Sequence, residues 1–255
     1  MTTFGDYTIS GLEYSVNGGD WKTVVAGGEG VTFGETRGNL RLRGTNTNGT
    51  ANNYNNFSNI TFTKNVNVAC TGDIRTLLSW KYYDTVDTQN ARFCYLFYDC
   101  GVLTSAPDLP ATTLASYCYY NMFNCCNSLK SAPVLPATTL ASNCYYEMFY
   151  GCTSLISAPE LPAEKLSQNC YAYMFNGCTK LSTVTMLAPS DQITNEFYCC
   201  DDWLYDAGTD ESITRTLKVQ DADAYNALVS KTTYLPEIWK KGAEGTTVLY
   251  ENNGK

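Results

Sequence analysis

LKSAPVLPATTLASNCYYEMFYGCTS (129–154) is one motif written three times. LTSAPDLPATTLASYCYYNMFNCCNS (103–128) precedes it and LISAPELPAEKLSQNCYAYMFNGCTK (155–180) follows, with no insertion or deletion between them. The columns hold at a 26-residue period: Leu103, Leu129, Leu155 and Leu181; Pro107, Pro133 and Pro159; Leu114, Leu140 and Leu166; Met122, Met148 and Met174; Phe123, Phe149 and Phe175; Cys126, Cys152 and Cys178. A fixed period of this length implies a solenoid, in which each unit covers the apolar face of its neighbour. Such arrays make extended surfaces suited to gripping partners and supply no ready-made cleft for chemistry.

Within one unit, LKSAP (129–133) is a short run bounded by Pro and compatible with a brief strand. Leu135 precedes Pro136, which pushes it toward extended geometry. Leu140, Cys144, Met148 and Cys152 then recur every four residues, and Tyr145 and Phe149 widen the stripe. This spacing predicts a short α-helix closed by Gly151 and, in the next unit, Gly177. Asn143, Tyr146, Glu147 and Tyr150 point away from the stripe and are expected to be exposed. Strand, extended crossover and helix in 26 residues is the build of a leucine-rich repeat.

The ends depart from the motif. ARFCYLFYDCGV (91–102) matches only the helical half of a unit, and ITNEFYCCDDWL (193–204) is expected to supply a closing helix. RTLKV (215–219) and TTVLY (246–250) alternate like strands around a helical stretch that begins near Asp221. Upstream, LEYSV, the turn NGGD and WKTVV (12–25) read as a hairpin; NLRLRG (39–44) and NITFT (59–63) read as half-buried strands and TNTNGTANNYNN (45–56) as a polar loop. GDIRTLLSW (72–80) reads as a short helix. The expected architecture is therefore α+β. A small antiparallel, sandwich-like β domain (1–70) and a connector (71–90) lead into leucine-rich repeats (91–186), which an α/β cap (187–255) closes.

A chain of 255 residues, 44% of them hydrophobic with no long apolar run, is expected to fold around a substantial core without a membrane span. A net charge of −8 without Lys or Arg clusters argues against nucleic acid. The chain has no His, the commonest general base and activator of Ser or Cys nucleophiles, and no motif replaces it, so no catalytic residue is assigned. The twelve Cys include no CxxC pair, and Asp201, Asp202, Asp206, Asp210 and Glu211 fit no EF-hand spacing; neither a metal nor a cofactor is expected. On a helix, Cys144 and Cys152 would lie roughly 12 Å apart, and stacked helical layers roughly 8–10 Å apart would strain bridges between units. The repeat cysteines are therefore expected to be buried thiols. MTTFGDY at the start lacks the basic and apolar stretches of a secretory signal.

The unit LPATTLASNCYYEMFYGCTSL (135–155) resembles the repeats of BspA-like leucine-rich-repeat surface proteins of anaerobic bacteria, which also occur in phage proteins. The resemblance covers residues 91–186. It extends more weakly to LEYSVNGGDWKTVV, NLRLRG and GDIRTLL. It implies a non-enzymatic recognition or adhesion protein at the cell surface, extracellular or on a virion, binding a host protein, a glycan or another cell. The alternative is a virion head or tail fibre component, assembled with other copies or virion proteins; a glycan-active enzyme is the reading from a different class. Tyr98, Tyr120, Tyr146 and Tyr150, outside the stripe, are candidate contacts, with packing against a neighbouring coil as the other reading. Thr104, Lys130 and Ile156, which vary after each leading Leu, mark a second candidate face.

Overall fold

The computed structural model describes residues 1–25, 27–33, 38–63 and 65–252. Its repeated units contain no helix. Asn143, Glu147 and Gly151 have φ of +57°, +51° and +66°, so the backbone turns left-handed every fourth residue, which no α-helix allows. The same columns are left-handed in the other units, at Tyr117, Asn121 and Cys125 and at Asn169, Tyr173 and Gly177. Each left-handed residue ends one turn and starts the next, so residues 143–152 form a row of linked turns.

Backbone hydrogen bonds explain why a row forms. Within it, Cys144, Tyr146, Met148, Tyr150 and Cys152 donate to the carbonyl three residues back, at 3.1–3.4 Å. The alternate amides of Tyr145, Glu147, Phe149 and Gly151 donate to the next unit, at Cys170 (3.1 Å), Ala172 (3.0 Å), Met174 (2.9 Å) and Asn176 (2.7 Å). Every amide from 144 to 152 is thus satisfied, four of the nine across the unit boundary, as buried backbone requires. A left-handed non-glycine residue costs roughly 1–2 kcal/mol; the inter-row bonds offset this. The pattern repeats from Phe93, Tyr95, Phe97 and Asp99 onto 118–124, and from 119–125 onto 144–150.

Two residues of each turn face inward and two outward. Phe97, Phe123, Phe149 and Phe175 stack with centroids 5.5–5.7 Å apart, and Phe93, Tyr119, Tyr145 and Tyr171 stack beside them at 5.9–6.1 Å. Met122, Met148 and Met174 are fully buried among them, with Cys118, Cys126, Cys144, Cys152, Cys170 and Cys178, while Cys125 is half-buried. A fourth full row follows from Tyr198, because Asn169, Tyr171, Tyr173, Phe175 and Gly177 donate to Phe197, Cys199, Asp201, Trp203 and Tyr205. These partners lie 28 residues on, instead of 25. The three extra residues belong to helix-containing chain between the rows.

The N-terminal part has two antiparallel sheets. Strand β1 (Thr2–Phe4) pairs with β6 (Asn56–Asn59), which pairs with β5 (Ala51–Asn53); β2 (Leu12–Val16) lies between β3 (Lys22–Thr23) and β4 (Leu40–Gly44). Strand β7 (Val68–Ala69) runs parallel to β8 (Leu103–Ser105), joining this part to the first unit. The connector holds a 3-10 turn, Ile74–Leu77, capped by the Asp73 carboxylate. Strands β9 (Ser157–Leu161), β10 (Thr183–Met186), β11 (Arg215–Val219) and β12 (Thr246–Tyr250) form one parallel sheet in the order β12-β11-β10-β9. Helix α1 (Ser190–Asn195) precedes the fourth row, and α2 (Ala222–Ser230) follows β11, its Asp221 side chain accepting from the Ala224 amide at 2.8 Å.

The expected α+β leucine-rich-repeat solenoid is overturned. The described residues contain two short α-helices, neither within 103–180, and twelve strands in several sheets; the units make a short stack of turn rows. ITNEFYCCDDWL is likewise no closing helix, since α1 ends at Asn195 and the rest is turns. The cysteine spacing argument falls with the helix, because rows joined by backbone bonds stand closer than packed helices. The thiols are nonetheless buried, and Cys126, Cys152 and Cys178 donate to Phe97, Phe123 and Phe149 carbonyls at 3.0–3.1 Å.

Candidate recognition face

The outward positions of the rows carry tyrosine and amide side chains. Tyr120 and Tyr146, on adjacent rows, lie parallel within 4° at a centroid distance of 4.8 Å. Tyr173 meets Tyr146 edge-on at 5.6 Å, and Tyr95 meets Tyr120 at 5.5 Å and Tyr98 at 5.4 Å. Tyr95 also stacks on Phe57 of β6 at 4.2 Å, and Phe57 on Phe4 of β1 at 4.8 Å, so one aromatic path crosses from the N-terminal sheet to the third row. Tyr54, at the tip of the β5–β6 hairpin, leans over Tyr117 (5.0 Å) and Tyr120 (5.8 Å) and is 41% exposed.

These rings and two amides enclose an open depression of about 200 Å³, lined by Tyr54, Tyr117, Tyr120, Asn143, Tyr146 and Asn169. The Asn169 amide donates to the Asn143 side-chain oxygen at 3.2 Å. Burial pushes the phenols of Tyr95 and Tyr146 up to about 12, and that of Tyr120 higher, so all three remain protonated donors. Beside them Glu147 accepts from the Asn124 amide at 3.3 Å. Burial raises its carboxyl above the ordinary range, against the opposing bonds from Asn121, Tyr146 and Asn124. Its expected full exposure is corrected: it is half-buried, because the left-handed turn tucks it over the neighbouring row.

Of the residues singled out from sequence, Tyr120 and Tyr146 line the depression, Tyr98 joins it through Tyr95, and Tyr150 stands exposed one turn further along its row. Thr104 is half-buried on β8, its hydroxyl donating to the Val68 carbonyl at 3.1 Å under β7. Lys130 and Ile156 are exposed neighbours, the Ile156 amide donating to the Lys130 carbonyl at 3.3 Å. They lie on the strand side, outside the aromatic path. Tyr54, Tyr95, Tyr117, Tyr173, Asn143 and Asn169 were not among the sequence candidates. The available signal for Tyr54 was a single aromatic side chain within TNTNGTANNYNN. Asp201 and Asp210 are engaged locally, by the Thr233 hydroxyl and by the Ser212 amide and hydroxyl. Asp202 and Asp206 occupy left-handed turn positions.

Comparison with protein-family models, curated proteins and solved structures finds no match to this chain. Among the described residues, no helix is long and apolar enough to cross a membrane.

Proposed function

We propose that this is a non-enzymatic recognition protein that engages a partner on a cell surface through the tyrosine face of its turn rows. The observation that carries the reading is the row of phenol rings packed on one another outside the core, from Tyr95 through Tyr120 and Tyr146 to Tyr173, all partly accessible. Rings already stacked lose little freedom on binding, and Tyr combines apolar area with a hydroxyl. The resemblance of the units to BspA-like surface proteins supports the same reading. The absence of His in the sequence favours binding over turnover.

The test is attachment of the purified chain to a panel of cells and extracellular proteins. Tyr120→Ala and Tyr146→Ala are expected to weaken attachment by the roughly 30-fold that about 2 kcal/mol of hot-spot energy represents. Lys130→Glu and Ile156→Glu are expected to leave it unchanged. Loss with the strand-side changes alone would move the contact to that side, and the face assigned here would be wrong.

A further inference from the structure

Resting on that reading, we propose that the depression between Tyr54, Tyr117, Tyr120, Asn143, Tyr146 and Asn169 is a subsite for one uncharged sugar ring of a glycan chain. Its lining is four phenols and two carboxamides, with no ionised group. An anionic ligand seated there would lack a counter-charge, and an apolar ligand would strand the amides. Phenol and carboxamide groups both donate and accept. A sugar hydroxyl does the same, so the chemistries match.

The amide pair is poised for this. The Asn169 to Asn143 bond uses one N–H and one oxygen, leaving the Asn143 amino group, the Asn169 oxygen and the second Asn169 N–H for a ligand. A donor and an acceptor held on adjacent rows suit the neighbouring hydroxyls of one ring. Tyr54, tilted 34° to Tyr117 and 41° to Tyr120, supplies an aromatic wall. The electron-rich face of such a ring attracts the polarised C–H groups on a sugar face.

Size and charge narrow the class further. About 200 Å³ is below the roughly 300–1,000 Å³ of sites that enclose drug-sized ligands. It fits one ring, with the rest of a chain running along the rows past Tyr95 or Tyr173. Glu147, hydrogen-bonded to Asn124 and flanked by Tyr146, disfavours a uronate or other acidic sugar. The centroids of Tyr54, Tyr117 and Tyr120 stand 5.0–5.8 Å apart, too close for an ammonium group to sit between any two of these rings.

The test is calorimetric titration of the full chain with neutral oligomers of glucose, galactose, mannose and N-acetylglucosamine, alongside oligogalacturonate and choline. At least one neutral series is expected to bind. Tyr54→Ala and Asn143→Asp should each weaken it at least about tenfold, or 1.4 kcal/mol. Tyr120→Phe and Tyr146→Phe, which keep the ring stack and remove only hydroxyls, should weaken it with an unchanged melting temperature. Binding of choline or the uronate in place of every neutral series would overturn the assignment. So would neutral binding indifferent to all four variants. If no oligosaccharide bound while Tyr120→Ala still abolished attachment to a protein-coated or cell surface, the sugar assignment would fall and the recognition reading would stand.

Discussion

Glu147 carries a burial cost that pH reveals. Its folded carboxyl titrates above the unfolded value of about 4.3, so folding disfavours the ionised form. The stability this group contributes is present below the unfolded value and is lost as pH rises through the raised folded value. Glu147→Gln is therefore expected to raise the urea midpoint at pH 7, with the gain vanishing near pH 4; parallel midpoints across that range would refute the assignment. Its neighbour Met148 is fully buried, and Met148→Asp is expected to cost several kcal/mol, read from the same unfolding curves. Burial also holds the row thiols protonated, Cys100 up to about 11 and Cys118 up to about 12, whereas a hydrogen bond with Cys200 lowers the Cys199 thiol. Thiolate is the reactive form. Labelling of the buried repeat cysteines with iodoacetamide should be slow in the native state and complete after unfolding without reductant; peptide mapping that finds Cys144 disulfide-linked to Cys118 or Cys170 would contradict it.

The left-handed positions of a turn row favour glycine, the residue that reaches them without steric cost. Gly177 sits at φ +72°, and an added Cβ would meet only ordinary contacts, 3.6 Å from the Gly151 Cα. Gly177→Ala is thus expected to destabilise by about 1 kcal/mol, from the left-handed backbone alone. A fall in melting temperature checks the left-handed assignment; an unchanged or raised one would refute it. Amide exchange provides a second measure: Tyr145, Glu147 and Phe149, bonded to the next row, should exchange slowly, together with their equivalents Tyr119, Asn121 and Phe123.

The N-terminal sheets and the rows share backbone contacts. Ile60 donates to the Leu96 carbonyl at 2.7 Å and Thr50 to the Arg92 carbonyl at 2.9 Å. A Cβ on Gly49, at φ +87°, would come within 2.2 Å of the Arg92 oxygen, so only glycine allows this approach. One continuous core runs from Ile60 to Trp239, and the small separate cluster of Tyr7, Ile9 and Leu12 is linked to it through Met1 and Leu77, which pack against both. Calorimetry is therefore expected to show a single transition with equal calorimetric and van't Hoff enthalpies. Gly49→Ala should lower its midpoint. Two separate transitions would mean that residues 1–70 fold as an independent unit.

The 26-residue period, the buried Leu, Met, Phe and Cys columns, the strands at 215–219 and 246–250 and the cap at Asp221 were legible because each is a local pattern of side chains. The choice between helix and turn row was not, since two inward and two outward residues per turn satisfy both over Leu140 to Cys152. A spacing of four held without drift, and Asn or Gly at the left-handed columns 121, 143, 151, 169 and 177, were the available clues. What decided was hydrogen bonding to a carbonyl 25 residues away, which no local propensity encodes. The fourth row escaped notice because α1 lengthens its spacing and breaks the period. The depression needed more still: Tyr54 reaches Tyr117 and Tyr120 only when the β5–β6 hairpin docks on the rows, a contact between distant segments that tertiary packing alone creates.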